Sequence, residues 1–94
     1  MTEIRVLVLD DHPLLRNGVA AVLSAQAGIR VAGEAADGQS ALGILERTAV
    51  DLCLVDLRMP GMDGVQFMRE ASLRCPGLRF VVLTTYDGID EVHA

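Results

Sequence analysis

Three short, uninterrupted apolar runs dominate this chain: VLVL at 6–9, LCLV at 52–55 and FVVL at 80–83. A strand with one wet face alternates apolar and polar residues, so a run without alternation must be covered on both faces. Segments with helical spacing separate the runs. Only a parallel sheet with helices packed on either side accommodates that order, through right-handed crossovers. The expected fold class is therefore α/β, a doubly wound parallel sheet.

The elements can be placed from local signals. Ile4–Asp10 reads as the first strand, and Pro13 stands where the first turn of a helix tolerates proline. Leu15, Val19, Val22 and Leu23 recur at helical spacing and Gly28 closes that helix. Ile29–Ala35 is a weaker strand, interrupted by Gly33 and carrying Arg30 and Glu34, which suits a sheet edge. The turn Asp37-Gly38 leads to a helix with Ala41, Ile44, Leu45 and Thr48 on one face. Leu52–Asp56 is the third strand, Arg58–Gly64 a loop, and Asp63 caps a helix running to about Arg74. Arg79–Thr84 is the fourth strand, and Ile89–Ala94 has the pattern of the first turns of a helix.

Charge and composition exclude several classes of function. The chain of 94 residues is 51% hydrophobic with a net charge of −5, as expected of one packed domain and not of a disordered segment. Its eight basic residues are all arginines spread along the chain, so no basic patch follows a phosphate backbone and this segment is not expected to bind nucleic acid. No apolar run is long enough for a membrane span, and the start lacks the basic stretch of a secretory signal, so a cytoplasmic location is expected. Cys53 and Cys75 lack metal-ligand spacing and are read as structural thiols.

The chemistry concentrates at the ends of the strands. Asp10 and Asp11 close the first run, Asp56 the third strand, and Thr84 the fourth. Ligands of open α/β sheets bind beyond the carboxyl ends of the strands. With the first and third strands adjacent, three carboxylates crowd together, and their repulsion requires a proton or a cation. A hard divalent ion such as Mg²⁺, which takes oxygen ligands, meets that need. An aspartate in such a place also serves as a helix cap, and a terminal threonine as a good β-former; it is their coincidence that points to phosphoryl transfer onto a carboxylate. His12 is read as a polar loop residue, because magnesium prefers oxygen.

Taken together, VLVLDDHPLLRNGV, LVDLRMPGMDGVQF and VVLTTYD resemble the receiver domain of bacterial two-component response regulators, in wording nearest the NarL/FixJ (LuxR-type) branch. The resemblance covers all 94 residues. It implies a flavodoxin-like sheet of strand order 2-1-3-4, with the family's fifth strand and last helix absent. It implies that Asp56 accepts a phosphoryl group from a histidine kinase. Asp11, Asp56 and the backbone carbonyl of Arg58 would hold Mg²⁺, with Asp10 acting through water. Thr84 matches the family's switch hydroxyl, Tyr86 the mobile aromatic region beside it, and Thr85 a position that gates access to the aspartate.

The family's pattern continues with a strand bearing a lysine, whereas this chain contains no lysine. The expectation is an N-terminal piece of a transcription regulator, 1–94 being a receiver domain truncated at its C-terminal end and a helix-turn-helix DNA-binding domain following in the full protein. Without a fifth strand the fourth becomes an apolar edge, so self-association by edge pairing or domain swapping is expected. Two other readings stand beside this one. The first is a phosphorylation-independent interaction module. The second is a phosphatase with an aspartate nucleophile, although such enzymes space two aspartates on the first strand by one residue.

Overall fold

The computed structural model describes residues 3–56 and 64–83. In chain order they form β1 (Ile4–Leu9), α1 (Pro13–Ser24), β2 (Ile29–Ala35), α2 (Gly38–Arg47), β3 (Leu52–Asp56), α3 (Gly64–Arg74) and β4 (Arg79–Leu83). The strands build one parallel sheet in the order β2-β1-β3-β4. The expected doubly wound architecture and strand order are thus observed, with β2 at one edge. The segments expected at 57–63 and 84–94, including the tail helix at Ile89–Ala94, lie outside the described residues.

Register makes the two faces of the sheet unequal. Leu7 pairs with Cys53 and Leu9 with Val55, so these four side chains share one face. There they join Ala41 and Leu42 of α2 and Phe67 and Ala71 of α3 in one continuous core. Phe67 meets Phe80 of β4 edge-on at 6.3 Å, extending that core across the sheet. Burial among apolar side chains pushes the Cys53 thiol up to about 12, as befits a structural cysteine. Val6 and Val8 alternate to the opposite face, where α1 is the one helix among the described residues.

The apolar row predicted on α1 is present, but much of it is open. Leu15 is 49% exposed and Val22 63%, and Leu14, outside that row, reaches 87%. Helical spacing identifies an apolar stripe but not the body that covers it, and α1 has no helical neighbour among the described residues. On α2, Ala41 is buried and Ile44 and Leu45 pack on the core as expected, joined by Leu42; Thr48 instead caps the C-terminus in an extended conformation. Asp37 caps the N-terminus, its carboxylate accepting from Ser40 N at 2.7 Å. Gly33 lies beside a register shift between β1 and β2, and a Cβ there would come within 3.2 Å of Ile44. Gly28, at φ 83°, takes the left-handed turn after α1, and its carbonyl accepts from Ile4 N.

At the amino ends of the strands, Asp51 fastens three of them. Its carboxylate takes a forked contact from Arg5, Nη2 to Oδ1 at 2.9 Å and Nε to Oδ2 at 3.0 Å, and accepts from Arg5 N at 2.8 Å. Its own N–H donates to Arg5 O, and its carbonyl accepts from Arg79 N. These bonds from Arg5 hold the Asp51 carboxyl down at about 2, below its ordinary 3.8. A carboxyl lowered on folding contributes stability above its unfolded value, and that contribution is lost as pH falls towards the folded one. Asp51→Asn is therefore expected to lower stability at pH 5, with the gap to wild type closing between pH 4 and pH 2. Urea denaturation across that range checks it; a gap independent of pH would refute the assignment.

Candidate functional site

The pairing of β1 with β3 builds the site. Val6 lies opposite Leu52 and Leu9 opposite Val55, and the same offset carried one residue further sets Asp10 level with Asp56. Asp10 N still donates to Ala35 O at 3.0 Å, so Asp10 is held as a continuation of the sheet. Each carboxylate thus emerges at the end of an apolar strand, and each residue is only 1% exposed. Asp11 follows on the turn into α1, with its side chain 26% exposed.

Side-chain atoms of Asp10, Asp11, His12 and Asp56 converge so that one oxygen or ring nitrogen from each lies within 4.8 Å of all the others. Asp10 Oδ1 accepts from His12 N at 2.8 Å and lies 3.1 Å from His12 Nδ1. The same ring nitrogen stands 3.0 Å from Asp11 Oδ1 and 3.9 Å from Asp56 Oδ2. The hydrogen bond with Asp10, followed by the charge of Asp11, raises the His12 imidazolium above its ordinary 6.5. Arg16 Nη1 donates to the backbone carbonyl of Asp10 at 2.9 Å, and its Nε lies 3.5 Å from Glu34 Oε1, so the guanidinium braces the strand end rather than its carboxylate.

Buried Asp11 Oδ1 has no aligned hydrogen bond, although a ring nitrogen lies 3.0 Å away. An orphaned carboxylate oxygen facing two nearly buried carboxylates fits a hard divalent cation, which binds such oxygens without demanding a directed proton. The expected trio is therefore brought together. His12, first read as a loop residue, joins it. Its position after Asp10-Asp11 and before a helix-starting proline was the available signal, but spacing alone does not show where a ring turns. Arg58, Thr84, Thr85 and Tyr86 lie outside the described residues. No helix among the described residues is long and apolar enough to cross a membrane.

Comparison with known proteins gives a consistent answer. A family model described as the response regulator receiver domain matches residues 6–94. The transcriptional regulatory protein LiaR of Bacillus subtilis (strain 168) is 39% identical over 90 residues, covering 96% of this chain and 43% of LiaR. The nitrate/nitrite response regulator protein NarP of Escherichia coli (strain K12) is 38% identical over 95 residues, covering 99% of this chain and 43% of NarP. The solved signal receiver domain of the response regulator NarL from Mycobacterium tuberculosis superposes with a TM-score of 0.81 at 38% identity, over 93% of this chain and 70% of that one. The chain thus spans less than half the length of these two curated relatives.

Crowded carboxylates predict a metal-dependent stability. At pH 8.5 with chelator present, Asp11→Asn is expected to melt about 4–8 °C above wild type, the shift that roughly 1 kcal/mol of relieved repulsion produces in a domain of this size. Millimolar Mg²⁺ should raise the wild-type melting temperature and leave the variant unchanged. Equal response of both chains in a calorimetric scan would count against the cation site.

Proposed function

The chain belongs to the response regulator receiver domain family, and we propose that it works as a phosphorylation-controlled signalling module in which Asp56 is the phosphoacceptor. The observation that carries this reading is the meeting of Asp10, Asp11 and Asp56 at the carboxyl ends of β1 and β3. In the proposed step a carboxylate oxygen of Asp56 attacks the phosphorus of a phosphohistidine on a histidine kinase. The new O–P bond forms as the P–N bond to the imidazole breaks, and the leaving nitrogen keeps the electron pair and takes up a proton. Asp11, Asp56 and the backbone carbonyl of Arg58 are assigned to hold Mg²⁺, with Asp10 acting through water. The ion supplies neutralisation of the charge that gathers on the phosphoryl oxygens.

The chain's own residues orient the nucleophile. Asp56 is buried and fixed at the end of a paired strand, so little conformational freedom is lost on reaching the reactive geometry. Asp10 is anchored by His12 N and, through its carbonyl, by Arg16. Thr84 is assigned as the hydroxyl that moves to the phosphoryl oxygens, Tyr86 as the aromatic partner of that movement, and Thr85 as the residue that gates access. Catalysis goes no further than transfer onto the chain's own aspartate. In the longer protein implied by the relatives, a helix-turn-helix domain is proposed to carry the output to DNA, since LiaR is named as a transcriptional regulatory protein.

The apolar row left open on α1 favours a second reading, a module that keeps the fold and associates without a phosphorylation switch. Self-association is proposed in either case. Val81 and Val82 of β4 are 43% and 40% exposed on an edge of the described sheet, and the apolar row of α1 is open as well.

Incubation with Mg²⁺ and acetyl phosphate is expected to add one phosphoryl group to wild type and none to Asp56→Asn, read by intact mass. Phosphorylation of the variant to the wild-type extent would overturn the assignment, and modification of neither chain would favour the inert module. Sedimentation velocity at rising concentration is expected to show dimers. A folded monomer at millimolar concentration would refute the association.

A further inference from the structure

We infer that His12 is a nitrogen ligand of the acidic cation site and sets which divalent ions the site prefers. The inference rests on the cation-site reading above and adds the selectivity of that site. His12 Nδ1 lies 3.1 Å from Asp10 Oδ1 and 3.0 Å from Asp11 Oδ1. Two ligand atoms at right angles on a six-coordinate ion, each about 2.1 Å from it, stand about 3.0 Å apart. Nδ1 therefore keeps the spacing of a neighbouring ligand to Asp11 Oδ1, lies beside the Asp10 carboxylate that acts through water, and at 3.9 Å from Asp56 Oδ2 remains within the same small cage.

The backbone beneath the ring is held in place. His12 N donates to Asp10 Oδ1 at 2.8 Å, its φ and ψ are −98° and 104°, and the following Pro13 restricts it to that extended region. The side chain is 60% exposed yet has this fixed root, and it makes no capping hydrogen bond to α1, so removing it takes no cap from the helix. With Nδ1 as the ligand atom, Nε2 carries the proton of the neutral ring.

Imidazole discriminates between ions that carboxylates treat alike. Mg²⁺ prefers oxygen and gains little from a ring nitrogen, whereas affinity for nitrogen-containing sites rises from Mn²⁺ through Co²⁺ to Ni²⁺. His12 thus leaves Mg²⁺ binding nearly unchanged and selectively strengthens the others. A different role for the same geometry is a counter-cation that occupies the ion's place. Removing the ring would then strengthen binding of every divalent ion, Mg²⁺ included.

The test is calorimetric titration of the 94-residue chain with MgCl₂, MnCl₂ and NiCl₂, comparing wild type with His12→Ala, His12→Gln and Asp11→Asn, together with pulsed EPR of the Mn²⁺ complex. Expected results are a loss of about tenfold or more in Ni²⁺ affinity and a smaller loss for Mn²⁺ in both His12 variants, with Mg²⁺ within about twofold of wild type. The wild-type Mn²⁺ spectrum should show modulation from a directly bound ¹⁴N that His12→Ala abolishes. Equal changes for all three ions, tighter binding in His12→Ala, or no nitrogen modulation in wild type would overturn the inference while leaving the acidic site in place. Failure of wild type to bind any of the ions, or undiminished binding by Asp11→Asn, would overturn the cation-site reading itself.

Discussion

Parallel pairing of β1 with β3 is the contact on which the rest of the molecule depends. Residues 46 positions apart in the chain stand side by side, Leu7 beside Cys53 and Leu9 beside Val55. That pairing buries the apolar runs and, one residue past the last pair, brings Asp10 level with Asp56. Because side chains alternate along a strand, a slip of one residue would turn the buried leucines towards the wrong face and separate the carboxylates at the same stroke. Core and chemistry are thus fixed by one register. The core supplies the energy that holds two carboxyl groups where water is scarce, and burial of Val6, Leu7, Val8 and Leu9 on β1 and of Cys53 and Val55 on β3 opposes the cost at their ends.

Much of this was legible in the chain because the deciding features are local. Unbroken apolar runs identified β1 and β3 as interior strands, Arg30 and Glu34 marked β2 as an edge, and Pro13 marked the start of α1, whereas the helix ends at Ser24, four residues before the Gly28 expected to close it. The convergence of Asp10, Asp11 and Asp56 followed from strand adjacency and the general placement of ligands in such sheets. What was not legible depends on partners distant in sequence. The exposure of Leu15 and Val22 depends on what lies over α1 and not on the spacing of the row itself. The forked contact between Arg5 and Asp51 joins charges that sequence inspection leaves as two ordinary surface residues. His12 is the polar loop residue its position predicts, but the approach of its ring to the carboxylates was not legible, because spacing does not show where a side chain turns.

The two ends of the sheet manage charge in opposite ways. At the amino ends, Asp51 is satisfied by Arg5, and one ion pair together with three backbone contacts ties β1, β3 and β4. At the carboxyl ends, the imidazole of His12 lies within 4 Å of all three carboxylates. Structural acid groups are paired to the limit of their bonding capacity, whereas a site that must receive a cation or a phosphoryl group keeps unused capacity. Glu34 and Arg16 lie between these extremes, bracing the Asp10 strand end without neutralising its carboxylate.

Cys53 sits three residues before Asp56 on the same strand, wholly enclosed in the core and with its proton firmly held. A thiol so placed reacts only in moments when the strand leaves its neighbours, so its modification rate is a natural clock for the opening of β3. Whatever ligand tightens the far end of that strand slows the clock. The protein therefore carries, in its own sequence and without any attached label, a chemical readout of how firmly its acidic rim is held.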